Sequence, residues 1–154
     1  MKPLSLPLVL LLLLWLSFPV QAVDTGGLIM ARSSQPFPET MSSLQEAIKH
    51  QDYTLSRVQR VDIGLTARGL KTDKYRVVFF GKTDEIHRLA KDYPELIPYI
   101  PLKIAIFAEA DETLLTTTNP MVLADLFPDP ELKSTFRQWH KDITKIINSV
   151  QNSE

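Results

Sequence analysis

The chain has 154 residues, with 17 basic side chains, 18 acidic side chains and no cysteine. The absence of cysteine excludes disulfides, thiolate catalysis and metals held by cysteine. The near balance of charge gives no electrostatic basis for binding nucleic acid, which needs clustered Lys and Arg. We therefore expect a domain that is stable through packing alone and has no nucleic-acid partner.

The first 22 residues have the three parts of a secretory signal. Lys2 supplies the positive end, residues 4–20 form an apolar run without charge, and Val20-Gln21-Ala22 fits the site that signal peptidase reads. We predict cleavage after Ala22, which gives a periplasmic location without stable membrane insertion. The alternative is an uncleaved anchor, for which a run of about 17 residues lies at the lower limit of a bilayer span.

Cleavage removes 22 of the 154 residues and leaves 132, with 16 basic and 18 acidic side chains and a net charge of −2. That length suits one domain with its own hydrophobic core. We divide the chain into a signal at 1–22, an N-terminal strand and lead-in at 23–36, an α+β domain at 37–127 and a C-terminal amphipathic helix at 128–154.

The first half of the mature chain predicts three strands and one helix. A strand at residues 27–33 precedes a helix from about Pro38 to residue 50. Residues 53–63 favour a second strand in which either a bulge shifts the register or the middle of one face is wet. After a polar loop, the continuous apolar character of residues 75–80 predicts a central strand that is covered on both faces.

The second half predicts a helix from Thr83, a proline-rich loop, and a hairpin of strands at 104–109 and 113–118. Asn119-Pro120 and Asp129-Pro130 are helix start signals, the first for a short buried helix at 121–127. The order β-α-β-β-α-β-β-α-α predicts an α+β fold, with a single mixed sheet of about five strands and helices on one face.

The last predicted helix carries an apolar seam at spacings of 4, 3, 4, 3 and 4. The seam residues are Leu132, Phe136, Trp139, Ile143, Ile146 and Val150. The seam either packs against the domain's own sheet or helices, or it forms a dimer or a contact with a partner helix. In the second interpretation Phe136, Trp139 and Ile143 are the interaction residues.

Three histidines lie on three different predicted helices without the spacing of a metal site. His50 and His140 are typical of solvated surface residues. His87 could face the proline-rich loop, where a haem ligand, a metal ligand or a general base is the alternative to a surface role.

Charged and phenolic side chains at the ends of two strands suggest an anion pocket. Tyr75, Arg76 and Lys103 could line it, because Arg and Lys bind carboxylates and phosphates well; the alternative is ordinary edge charge. We take three residues as the candidates for ligand binding: Tyr75, His87 and Lys103. The glycines form no phosphate loop, and the threonine-rich strand lacks a base nearby in sequence, so we assign no catalytic residue, metal or cofactor.

Several segments in a fixed order carry a family resemblance. They are Phe37 with Leu44 and Ile48, the strand at 75–81, residues 93–104 and Thr118-Asn119-Pro120. Through them residues 37–127 resemble the domain-of-unknown-function 302 family, and the Pro128-Asp129-Pro130 step is similar to its exported proteobacterial branch. The resemblance implies a compact α+β fold and a homodimer, and it implies no activity. Gly81-Lys82-Thr83 departs from the Gly-Asn-Pro-like turn of some relatives.

From these patterns we expect an exported, non-enzymatic binding or interaction module of the cell envelope. We expect it to be a homodimer that can take a small anionic ligand. One alternative is a hydrolase or ligand-transforming enzyme with its site around Tyr75, His87 and Lys103. Another is a haem- or metal-carrying accessory protein that uses His87.

Overall fold

The computed structural model describes residues 23–24 and 26–153, so the predicted export signal lies outside the described residues. The strands are β1 (Val23–Asp24), β2 (Leu28–Ser33), β3 (Thr54–Arg60), β4 (Tyr75–Gly81), β5 (Leu102–Glu109) and β6 (Glu112–Thr118). The α-helices are α1 (Phe37–His50), α2 (Val61–Thr66), α3 (Thr83–Asp92), α4 (Leu123–Leu126) and α5 (Pro130–Gln151). Two 3-10 helices span Pro94–Tyr99 and Pro120–Val122.

The strands form one sheet in the order β1-β2-β6-β5-β4-β3. The predicted α+β class and single sheet are confirmed, but every neighbouring pair is antiparallel, so the sheet is not mixed. After β4 the chain passes through α3 and the 3-10 helix Pro94–Tyr99. It enters β5 at the end of the sheet where β4 finishes. The sequence could not show this, because a helical connection is equally compatible with a parallel crossover.

The region after β3 differs from the prediction. Of the two alternatives for this strand, the bulge is confirmed, since the register shifts between Leu55 and Arg57. The strand then ends at Arg60, and residues 61–66 form α2 instead of continuing the strand to Ile63. Asp62 lies in the first turn of this helix, where an acidic side chain favours the positive end of the helix dipole.

Both predicted helix start signals are confirmed. The carboxylate of Asp129 accepts hydrogen bonds from the backbone N–H groups of Glu131 (2.8 Å) and Leu132 (3.2 Å). The side-chain oxygen of Asn119 accepts one from Met121 N–H at 3.0 Å. The short helix that follows Asn119 is less buried than predicted, because Leu126 is exposed.

The core lies on one face of the sheet, which we call the covered face. Its buried strand residues alternate along β2, β4, β5 and β6, and the helices supply the remaining core side chains. The six seam residues of α5 are only 0–2 % exposed. The seam therefore packs internally, and Phe136, Trp139 and Ile143 form no exposed stripe on the single chain. The apolar spacing predicted burial correctly but did not distinguish an internal partner from a second chain.

A buried polar contact joins α5 to Tyr53, the residue that precedes β3. Asp142 is only 4 % exposed, and its two oxygens accept hydrogen bonds from the Tyr53 hydroxyl (3.0 Å) and the Gln138 amide (2.8 Å). Burial, together with the nearby Asp142 carboxylate, raises the pKa of Tyr53 above its usual value. A third bond, from Trp139 Nε1 to Glu85 at 3.0 Å, ties α3 to the same helix.

Candidate functional site: the open face and its two cavities

The opposite side of the sheet, which we call the open face, has an apolar centre, and none of the side chains described on it is buried. Two rows cross its centre, each built from paired residues on neighbouring strands. One row contains Val77, Ala105, Thr116 and Met30, and the other contains Tyr75, Phe107 and Leu114. The rings of Tyr75 and Phe107 meet edge to face, with their centroids 5.9 Å apart. These side chains are of intermediate exposure, because they shield one another.

The prediction that β4 is covered on both faces is therefore wrong for the single chain. Val78 and Phe80 are buried on the covered face, whereas Val77 and Phe79 lie on the open face. An antiparallel sheet with one solvated face normally alternates between apolar and polar residues. The described chain therefore buries the apolar residues on one face of β4 and leaves those on the other face partly exposed.

The two ends of the open face carry opposite charge. At one end Arg57 lies opposite Phe79, which in turn lies opposite Lys103. At the other end Glu109 and Glu112 are paired across the hairpin, and Arg32 forms an ion pair with Glu109. The apolar rows lie between these ends.

Two of the three predicted ligand-binding residues share the open face. Tyr75 and Lys103 both line a shallow cavity of about 380 Å³ over the sheet. Lys103 lies opposite Phe79, and Tyr75 is four residues from Phe79 along β4. At the usual rise and spacing of strands, the Cα atoms of Tyr75 and Lys103 are therefore about 14 Å apart. They border one surface but do not converge on one small group.

His87 lies elsewhere. It is exposed on α3, which is held to α5 by the Glu85–Trp139 hydrogen bond and by an ion pair between Arg88 and Glu131. Since α5 packs on the covered face, His87 and the open-face residues lie on opposite sides of the sheet. The enzyme hypothesis needed His87 beside Tyr75 and Lys103, and the structure does not bring them together.

Arg76 also departs from the predicted anion pocket. It is paired with Ile106 in the register of the covered face, and its guanidinium donates a hydrogen bond to Asp62. That bond holds the pKa of the Asp62 carboxyl below its usual value. The guanidinium also lies over the ring of Phe37, 5.8 Å from its centroid. Arg76 is therefore engaged by its own chain.

The other histidines have separate surroundings. His50 is exposed at the end of α1. Nδ1 of His140 lies 3.0 Å from the side-chain oxygen of Asn119, which also accepts the Met121 N–H, so Nδ1 is the donor. Within residues 26–153, no group of three His, Asp or Glu side chains is arranged to hold a metal ion.

A second cavity, which we call the end cavity, lies at the Lys103 end of the sheet. It adjoins the shallow cavity that Tyr75 and Lys103 line. It has a volume of about 320 Å³. It lies between the 3-10 helix Pro94–Tyr99 and residues 120–126, and Lys103, Thr117 and Thr118 line both cavities. Lys103 is the one charged residue among the described residues that line either cavity.

Sequence reasoning identified Tyr75 and Lys103 but missed the surface that joins them. The sequence of β5 indicates this surface, because the strand is apolar on both faces. Ile104 and Ile106 lie on the covered face, and Ala105 and Phe107 lie on the open face. No local sequence pattern predicts the end cavity, because its walls come from segments that are distant in sequence.

Comparisons with known proteins agree with this fold. A profile of the family described as "Domain of unknown function DUF302" matches residues 29–150, which extends the expected range into β2 and α5. A crystal structure of an uncharacterized conserved DUF302 protein from Bacillus stearothermophilus is similar, with a TM-score of 0.72 and 18% identity. The similarity covers 80% of this chain and 97% of that chain, and it concerns the fold alone. No curated protein matches the chain.

In the part of the chain that the structure describes, no helix combines the length and apolar character that crossing a membrane requires.

Proposed function

The chain belongs to the DUF302 family, and we propose that it is an exported, non-enzymatic interaction module whose open face binds a second copy of the chain. The observation that carries this proposal is the unburied apolar surface of that face. Burying apolar area stabilises association by about 25 cal/mol per Å², and aromatic side chains are enriched at the centres of interfaces. Tyr75, Phe79 and Phe107 supply such side chains here.

The charge pattern favours a second copy over an unrelated partner. In the proposed dimer two open faces stack on each other. The two-fold axis lies between the two sheets and is perpendicular to the strands. It reverses the strand direction of the second copy, so that Lys103 faces Glu109 of the second copy and Ala105 faces its Phe107. Opposite charges then meet at both ends around an apolar centre, which is the self-complementarity that a two-fold interface needs.

Two observations support export to the periplasm. Residues 1–22 have the three parts of a secretory signal. Val20-Gln21-Ala22 fits the site that signal peptidase reads, which gives the predicted cleavage point after Ala22. This placement also fits the exported proteobacterial branch that the sequence resembles.

The test is the oligomeric state of the mature chain isolated from the periplasm, measured by sedimentation equilibrium over a range of concentrations. We expect a dimer for the natural chain and a monomer for Ala105→Arg, because the new charge would lie at the centre of the interface. Ala67→Arg makes the same substitution at an exposed site after α2 and should remain a dimer. A natural chain that stays monomeric, or an Ala105→Arg dimer of unchanged affinity, would overturn the proposal.

A charge exchange tests the orientation. Lys103→Glu and Glu109→Lys should each weaken the dimer, because each places like charges opposite one another. The double variant Lys103→Glu/Glu109→Lys should recover most of the affinity. If the two losses simply add, the two-fold arrangement is incorrect.

Mass spectrometry of the intact periplasmic protein tests export separately. The expected mass is that of a chain beginning at Val23. A mass that includes residues 1–22, or absence from the periplasm, would contradict this part of the proposal.

A further inference from the structure

The walls of the end cavity are mainly apolar. Among the residues that form them are Tyr99, Leu102, Val122, Leu123, Leu126 and Ile143. Its volume of about 320 Å³ lies near the lower limit of the range of about 300–1,000 Å³ that is typical of small-molecule sites. An apolar group of modest size would fit it.

The polar side chains that line the end cavity are Lys103, Thr117 and Thr118, together with Tyr99, which carries a hydroxyl. Thr117 donates its hydroxyl to the carbonyl oxygen of Lys103 at 2.6 Å, so that hydroxyl is already engaged. The ammonium of Lys103 forms no ion pair with any residue in the described part of the chain. An exposed, unpaired ammonium beside an apolar cavity is suited to the head group of an anion.

The mouth of the end cavity exposes apolar side chains. Leu126 is 62% exposed and Tyr99 is 41% exposed, and both line the cavity. Ile97, on the same 3-10 helix as Tyr99, is 54% exposed. The Tyr99 ring is held edge to face against Phe127 at 5.8 Å. Exposed apolar side chains grouped around a cavity are typical of a binding surface.

We propose that the end cavity binds a small organic acid with an apolar tail, such as a medium-chain carboxylate, whose carboxylate pairs with Lys103. The tail would lie among the apolar walls, and the cavity volume favours a short tail over a whole lipid. A single ammonium suits a carboxylate better than a phosphate, which normally recruits several donors. This inference goes beyond self-association and does not depend on it.

Lys103 takes part in both proposed interactions. A bound carboxylate would compete with Glu109 of the second copy for the same ammonium. Ligand and dimer should therefore weaken each other reciprocally.

The probe is decanoate below its micelle concentration, with decanol as the uncharged comparison, and binding is measured by titration calorimetry. We expect saturable binding of one decanoate per chain. Lys103→Met keeps the apolar stem but loses the charge, so it should weaken decanoate about tenfold, equivalent to about 1.4 kcal/mol, and leave decanol unchanged. Lys71→Met, a control in an exposed loop, should bind decanoate normally.

The titration is repeated on Glu109→Lys, which keeps the end cavity and weakens the proposed dimer, at a protein concentration where this variant is a monomer. Saturable binding there supports the ligand site whatever the natural oligomeric state. The proposal is overturned by the absence of saturable binding, or by an equal loss of decanoate and decanol binding in Lys103→Met. It is also overturned by uptake of many molecules per chain, which would indicate a membrane-like apolar surface. Leu126→Asp should abolish binding through repulsion at the mouth, and unchanged affinity in that variant would count against the site.

Discussion

The two faces of the sheet are built by the same strands and carry similar apolar side chains, yet they have different surroundings. On β4, Phe80 is buried beneath the helices, whereas its neighbour Phe79 lies on the open face. On β5, Ile106 is buried and Phe107 is only partly covered. A strand that is apolar on both faces departs from the usual alternation of an antiparallel sheet with one solvated face, and the single chain covers only one of the two faces.

The largest expected effect separates the two faces within one strand. Phe80→Ala should lower the free energy of unfolding by about 3–5 kcal/mol, because it removes a fully buried ring from the core. Phe79→Ala, measured at a concentration where the chain is monomeric, should cost less than about 1.5 kcal/mol, because its ring is only partly removed from water. Urea unfolding of both variants checks the difference. Equal losses would mean that the open face is as fully packed in the monomer as the covered face.

The covered face was largely predictable, because its signals are local. The α5 seam and the start signals at Asn119 and Asp129 are read from neighbouring residues, and the structure confirms them. The strand direction and α2 were not predictable in this way. Both depend on where distant segments meet, and the expected strand at 53–63 ends when the chain turns into α2.

A smaller effect tests the polar contact that fixes α5 on the covered face. Tyr53→Phe leaves one oxygen of buried Asp142 without its donor and should destabilise the fold by about 1–3 kcal/mol. Tyr99→Phe removes a hydroxyl from an exposed ring and should have little effect on unfolding. Thermal unfolding of both variants at neutral pH is the measurement. A Tyr53→Phe chain as stable as the natural one would show that water satisfies Asp142 equally well.

The smallest effect concerns the ion pair of Asp62 and Arg76 at the rim of the covered face. Because the folded pKa of Asp62 lies below its unfolded value of about 3.9, the pair contributes fully above that pH. The contribution is lost as the pH falls through the folded pKa. Asp62→Asn should therefore cost about 1 kcal/mol or less at neutral pH, and the difference from the natural chain should disappear at about pH 2.

Unfolding measured at both pH values checks this. A difference that persists unchanged in acid would assign the effect of Asp62→Asn to something other than the carboxylate charge.

The candidate site was less predictable than the fold. Tyr75 and Lys103 were identified by residue type, but Arg76 and His87 were placed with them although strand alternation and helix position put both on the other side of the sheet. Long-range contacts such as the one between Tyr53 and Asp142 join residues 89 apart and leave no local pattern.

The most direct test of the central claim uses the absence of cysteine in the natural chain. Lys103→Cys and Glu109→Cys are prepared separately, mixed, and treated with a bismaleimide whose reach matches the spacing of about 10 Å between stacked sheets. If the open faces meet with opposite ends together, the mixture should form cross-linked pairs much faster than either variant alone. Equal cross-linking in all three samples, or none in any, would contradict the claim that the open face binds a second copy in this orientation.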